Sequence, residues 1–130
     1  MKYTYHKAGT KPTKGEIFVF GSNLAGIHGA GAAKEANMNY GARWGIGIGM
    51  AGNSYAIPTK DRNIQTMNID IISEAIEMFK DFVSKNPQLT FFVTAVGCGL
   101  AGFNASDIAP LFKGSPSNCN FQEDWRQYLE

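Results

Sequence analysis

The apolar run Thr90 to Val96 (TFFVTAV) leads directly into Gly97-Cys98-Gly99-Leu100-Ala101-Gly102-Phe103, and a helix start is expected at Ser106. A buried strand that opens into a glycine-rich turn and then a helix constrains the chain to a layered α/β arrangement. It also offers bare backbone N–H groups to an anion, because glycine permits positive φ and close approach to the main chain. The same pattern occurs earlier: Glu16 to Phe20 (EIFVF), a turn at Gly21-Ser22-Asn23, then His28-Gly29-Ala30-Gly31-Ala32-Ala33 entering a helix. Two such turns in 130 residues point to a ligand with more than one phosphate, a diphosphate-bearing nucleotide first.

The remaining elements alternate. Tyr3 to Tyr5 reads as a short edge strand, Ile17 to Phe20 as a buried strand and Gly31 to about Tyr40 as a helix with an alanine-rich start. Ser54 to Pro58 (SYAIP) reads as a strand that Pro58 stops. Asp70 to Lys85 is the clearest helix, with Ile72, Ala75, Ile76, Phe79 and Val83 on one face, Asn68 or Asp70 as its cap and Asn86-Pro87 ending it. Ser106 is expected to cap a helix with Pro110 in its first turn. Asn118 to Phe121 completes the strands, and Glu123 to Leu129 forms a short terminal helix or tail. Alternation of this kind predicts one α/β domain over residues 1–130, with a mainly parallel sheet and ligands bound beyond the carboxyl ends of its strands.

Composition narrows the partners. With 44% apolar and 18% charged residues the chain is an ordinary globular one, and a formal net charge of +1 gives no footprint for bulk nucleic-acid binding. Cys98 and Cys119 form no metal-ligand pattern and are expected as free thiols; no cofactor and no membrane association are expected, and the chain reads as cytoplasmic. Nine of the 15 glycines fall between Gly21 and Gly52 and three more between Gly97 and Gly102, where backbone must approach something closely. Gly47 to Gly52 (GIGMAG) matches the GxGxxG dinucleotide fingerprint letter for letter. It is rejected as such, because a strand must precede it and a helix follow it; it reads instead as a flexible loop over the ligand cleft.

Several side chains have two readings each. Asn23 follows a strand where its amide could reach a ligand hydroxyl, or it serves turn chemistry. His28 contacts ligand or is an exposed turn histidine. The value of Cys98 lies in its backbone N–H, since no histidine is placed to activate the thiol. Lys60, in Pro58-Thr59-Lys60-Asp61, pairs with phosphate, acts as a nucleophile toward a sugar aldehyde, or pairs on the surface with Asp61 or Asp70. Trp44, Tyr55 and Phe103 could stack on a base or belong to the core.

Taken in order, GSNLAGIHGAGAAKEA, SYAIPTK with the long helix, and FFVTAVGCGLAGF resemble the macrodomain family over roughly Glu16 to Phe112. The resemblance implies a three-layer fold, a central mixed and mostly parallel sheet flanked by helices, and a partner that is ADP-ribose or an ADP-ribosylated macromolecule. It implies a site made of Gly21, Ser22, Asn23, His28, Gly29, Ala30, Gly31 and Ala32 from the first loop, Thr59, and Gly97, Cys98, Gly99, Leu100, Ala101, Gly102 and Phe103 from the second. Within it Asn23 contacts the distal ribose, and Gly29, Gly31, Gly97, Cys98, Gly99 and Gly102 hold the diphosphate through N–H groups. Ala33 stands where one hydrolase group has its aspartate. The PTK and GCGLAG motifs resemble the branch that removes ADP-ribose with a lysine at the position of Lys60, although Ala101 stands where some of its members carry an aspartate. The resemblance thus implies either a lysine-dependent ADP-ribosyl hydrolase with Lys60 catalytic, or a binding module that reads ADP-ribose or sequesters a related nucleotide. Phosphatase action on a ribose phosphate is a weaker third reading, because no acid/base pair is evident.

Overall fold

A computed structural model describes residues 3–130. Six strands form one sheet: β1 (Thr4–His6), β2 (Ile17–Asn23), β3 (Gly49–Ala51), β4 (Ser54–Lys60), β5 (Phe91–Val93) and β6 (Cys119–Gln122). Their spatial order is β1-β6-β5-β2-β4-β3, and every neighbouring pair is parallel except β3 with β4. Four helices accompany them: α1 (Gly31–Asn39), α2 (Ile69–Ser84), α3 (Ala105–Ile108) and α4 (Arg126–Leu129), with 3₁₀ turns at Ala109–Phe112 and Glu123–Trp125.

Alternation along the central strands creates the layers. Ile17 and Val19 of β2, Tyr55 and Ile57 of β4, and Phe91 and Val93 of β5 enter one apolar cluster together with Ile72, Ile76, Phe79 and Val83 of α2. Their sequence neighbours Phe18, Phe20, Ala56 and Phe92 point the other way, onto Ala33 and Ala36 of α1. Period-two side chains with both faces apolar are what a parallel sheet covered on both sides requires. Each fully buried Phe or Ile contributes roughly 1.5–3 kcal/mol of transfer free energy. The smaller cluster under α1 is built around alanines, so that helix lies close to the sheet and its first turn reaches the strand ends.

Helix α2 follows the sequence pattern closely. Asn68 caps it, its side chain accepting from the Asp70 N–H at 2.8 Å. The chain leaves the helix at Lys85, and the Asn86 amide donates to the Phe82 carbonyl at 2.8 Å.

Four expectations are corrected. Strand β2 does not turn at Gly21-Ser22-Asn23; pairing with β4 continues to Asn23. Strand β4 likewise passes through Pro58 to Lys60. Its other neighbour, β3, ends opposite Ala56, so at Pro58 that edge needs no donor. A one-residue irregularity sets Ser22 opposite Pro58 and Asn23 opposite Lys60, leaving Thr59 as the extra residue of a bulge. Strand β5 is shorter than the apolar run, because the Val96 N–H turns back onto the Thr94 carbonyl at 2.7 Å. Helix α3 is capped by Asn104, not Ser106: the Asn104 N–H donates to Asp107 Oδ2 at 3.0 Å, and Pro110 falls in the following 3₁₀ turn.

The Gly47–Gly52 segment is no flexible loop over the cleft. Gly49–Ala51 is the antiparallel edge strand β3, and Gly47 packs so tightly on the Asn23 carbonyl that a Cβ there would collide with its oxygen. We therefore expect Gly47→Ala to lower the unfolding free energy by about 3 kcal/mol or more. Gly99→Ala, where an added methyl meets nothing within 4 Å, should cost less than about 0.5 kcal/mol. Urea denaturation of the two variants checks this, and equal midpoints would contradict it.

Candidate functional site

A cleft of about 420 Å³ lies at the carboxyl ends of β2, β4 and β5. Of the residues expected at a site, it is lined by Gly21, Ser22, Asn23, Gly29, Ala30, Gly31, Ala32, Thr59, Lys60, Gly97, Gly99, Leu100 and Ala101. His28, Cys98, Gly102 and Phe103 are not among its lining residues. Ile27, Ala33, Ile64, Thr94 and Ala95 line it without having been expected there. Thr94 and Ala95 lie within the apolar run that ends at Val96 before the glycine turn, whereas nothing in the sequence marks Ile64.

The first loop presents donors because its own partners are elsewhere. Ala30, the residue before α1, is extended and gives no side-chain cap, and no acidic residue occupies the first turn. The Lys34 N–H is the first to bond back, to the Ala30 carbonyl at 3.2 Å. Among the described residues, the amides of Gly29, Ala30, Gly31, Ala32 and Ala33 have no hydrogen-bond partner. An uncapped helix start carries the positive end of the helix dipole, and an anion satisfies both deficits.

The second loop behaves similarly, with one correction. The Cys98 N–H donates to the Ala95 carbonyl and the Gly102 N–H to the Gly99 carbonyl, both at 3.0 Å, so neither is left for a ligand. The amides of Gly97, Gly99, Leu100 and Ala101 have no partner among the described residues. Gly97 takes φ +76°, and a Cβ on Gly21 of the neighbouring strand would press on the Gly97 nitrogen at 3.2 Å.

Side chains complete the picture. Asn23 is buried and staples its loop: Nδ2 donates to the Ile27 carbonyl at 2.8 Å, and Oδ1 accepts from the Ile27 N–H at 3.0 Å. One amide hydrogen and one lone pair remain for a ligand. Lys60 sits opposite Asn23 on the neighbouring strand, half-buried, and makes no ion pair among the described residues. The expected alternative partner Asp61 is occupied, its Oδ1 accepting from the N–H groups of Asn63 at 2.8 Å and Gln65 at 3.0 Å. Among the described residues, Lys60 is the one charged residue lining this cleft, and no carboxylate does so.

The residues outside the cleft have structural work. His28 is 1% exposed, not an exposed turn residue; its ring bonds the Arg43 carbonyl through Nε2 at 2.8 Å and stands edge-on to Phe20. Nε2 is therefore the protonated nitrogen. Tyr55 lies in the core against Phe79 and Phe82, and Phe103 packs beside Gly97. Trp44 is 58% exposed. Burial raises the pKa of the half-buried Cys98 thiol and pushes that of Cys119 up to about 12, so neither is a thiolate at neutral pH.

A second cavity of about 270 Å³ adjoins the first, sharing Ala32 and Thr94 with it. It lies toward β1, β6 and β5, lined by His6, Gln122 and Phe92 among others, whereas Lys60 and Ile64 lie at the β4 end. The His6 ring stacks on Phe92 with centroids 3.9 Å apart, and Nδ1 meets Asn120 Oδ1 at 3.1 Å. Together the two cavities make a groove whose His6 end is aromatic and also holds the Lys11–Glu35 ion pair at 3.0 Å, and whose other end holds Lys60.

No family model and no curated protein matches the sequence. Solved structures do. A protein of unknown function from Bacteroides thetaiotaomicron aligns with a TM-score of 0.63 and 14% identity, over 94% of this chain and 98% of that one. Thermosipho africanus DarTG, solved in complex with ADP-ribose, aligns with a TM-score of 0.58 and 15% identity, over 85% of this chain. The match spans 39% of the DarTG chain. The fold is macrodomain-like. As expected, this macrodomain-like α/β fold has a mixed, mostly parallel sheet between helical layers. Among the described residues, no helix is long and apolar enough to cross a membrane.

One titration follows from the second cavity. Burial lowers the His6 pKa below the ordinary 6.5, the bond to Asn120 opposing it in part. The unfolded chain then binds more protons than the native one between that lowered value and 6.5. This contribution to stability is complete above pH 6.5 and is lost as the pH falls through the window below it. His6→Gln should flatten the stability loss between pH 7.5 and pH 5 in urea denaturation, and parallel wild-type and variant profiles would contradict it.

Proposed function

We propose that this chain binds ADP-ribose, free or carried by a macromolecule. The diphosphate lies between the two glycine loops, the nucleoside end in the His6–Phe92 cavity and the distal ribose beside Asn23 and Lys60. The observation that carries this reading is the pair of unpartnered amide sets, Gly29–Ala33 and Gly97, Gly99, Leu100 and Ala101, in one cleft whose lining among the described residues has a single cation and no carboxylate. A dianionic bridge accepts from donors of both loops at once, and hydrogen bonds to a charged acceptor are about twice as strong as those to a neutral one. The joined cavities have the volume of a site for a ligand of this size, the usual range being roughly 300–1,000 Å³. The likeness to DarTG, itself solved with ADP-ribose, supports the same ligand class.

Hydrolysis is the second reading, favoured by the register that sets the unpaired Lys60 opposite Asn23. In it Lys60 attacks, or stabilises charge at, the anomeric carbon of the distal ribose as the bond from that carbon to the modified group breaks, the group leaving with a proton and water supplying the hydroxyl that ends on the sugar, while Asn23 orients that ribose. Among the described residues no carboxylate lines the Lys60 end, and Glu35 of the second cavity is paired with Lys11, so no acid/base partner stands at the step and binding without turnover is the reading this site favours. The natural setting is the cytoplasm, and the partner is an ADP-ribosylated macromolecule or an ADP-ribose-derived signal. Residues 1–130 act as one unit.

Calorimetric titration tests the binding. ADP-ribose should saturate one site per chain and bind at least about tenfold tighter than AMP, a difference of roughly 1.4 kcal/mol. Equal affinities, or none, would contradict the assignment. For turnover, Lys60→Ala should bind ADP-ribose within about fivefold of the native protein. If the native protein releases ADP-ribose from a modified substrate, the variant should not; a fully active variant would exclude Lys60 from the chemistry.

A further inference from the structure

Ile64 is the one described residue other than glycine with φ in the left-handed region, at +63°. For a β-branched side chain this conformation is an outlier, of a kind that persists only where surrounding structure enforces it. The enforcement is visible. The Asp61 N–H donates to the Gln65 carbonyl at 2.9 Å and the Ile64 N–H to the Asp61 carbonyl at 3.1 Å, while the Asp61 carboxylate takes two further N–H groups. Thr66 bridges back to Lys60, and its hydroxyl donates to the Ala101 carbonyl of the second glycine loop at 3.1 Å.

What this turn holds in place is an aliphatic side chain, 38% exposed, on the wall of the cleft that also contains Lys60. It has no part in either apolar cluster of the core. Glycine or asparagine would suit the backbone better, and neither would present apolar surface there.

We propose that Ile64 is a specificity-determining contact for the sugar beyond the diphosphate. Its side chain covers that sugar at the β4 end of the groove and keeps water from the carbon beside Lys60, so the domain selects nucleoside diphosphate sugars over nucleoside diphosphates. The inference rests on the reading of the cleft as an ADP-ribose site. It adds a residue that neither the glycine loops nor the Asn23–Lys60 pair supplies.

Ile64→Gly and Ile64→Asn both relieve the backbone and remove the apolar surface. Thermal unfolding and titration with ADP-ribose and with ADP, which lacks the distal ribose, are measured for each. Both variants should melt at or above the native temperature, lose about tenfold in affinity for ADP-ribose and change less than about twofold toward ADP. Unchanged ADP-ribose affinity, an equal loss for both ligands, or a lower melting temperature in both variants would overturn the role of Ile64. Those outcomes leave the site itself standing. Failure of the native protein to bind either ligand would overturn the reading of the cleft as well.

Discussion

Backbone packed on backbone holds the first glycine loop in its open shape, and the cleft depends on it. Gly47 lies on the Asn23 carbonyl, and Gly26 lies on Gly45 so closely that a Cβ on Gly26 would strike the Gly45 main chain. Gly41 and Gly52 cross at similar range, a Cβ on Gly52 falling 2.8 Å from the Gly41 Cα. Hydrogen bonds fasten the same layers: Gly45 N–H to the Gly26 carbonyl at 2.9 Å, the Ser22 hydroxyl to the Gly47 carbonyl, and the His28 ring to Arg43. The 41–52 segment thus acts as a buttress beneath residues 23–31. Because the loop is braced from behind, its forward amides need no partner within the protein.

That arrangement explains the electrostatics of the groove. An ordinary helix start is satisfied by a serine, aspartate or asparagine cap; α1 has alanine there and glycine next. The unmet donors of α1 face the same cleft as those of the second loop, and the bulge at Thr59 brings Lys60 into register with Asn23 beside them. Each feature is locally unfavourable, and each becomes favourable when an anion is bound. Strain at Ile64 follows the same logic, with apolar contact in place of charge. A conformation disfavoured in the free chain is kept on the cleft wall, where the proposed ligand contact lies.

Much of this was legible where side chains decide structure. The apolar runs of β2 and β5, the buried face of α2 and the glycine loops at strand ends follow from pattern alone, and so does the layered fold. Pattern failed where a partner distant in sequence decides. Gly21 and Pro58 look like strand breakers, but the β2–β4 ladder continues past both because the opposite edge makes no demand at Pro58. Gly47–Gly52 looked like a ligand loop because glycine marks close approach without saying to what; the answer is other main chain. His28 looked exposed, since only Arg43, fifteen residues on, shows why it is buried. The His6 end of the groove joins residues of four strands, β1, β2, β5 and β6, and left no local signature.

The central claim is that two sets of unpartnered amides jointly hold a diphosphate. Amide chemical shifts recorded by two-dimensional NMR during titration with ADP-ribose test it residue by residue. The account predicts downfield proton shifts at Gly29–Ala33 and at Gly97, Gly99, Leu100 and Ala101 together, with much smaller movement at Cys98 and Gly102, whose N–H groups are already bonded. Saturable binding that leaves either loop unmoved, or that shifts Cys98 and Gly102 as strongly as their neighbours, would contradict it.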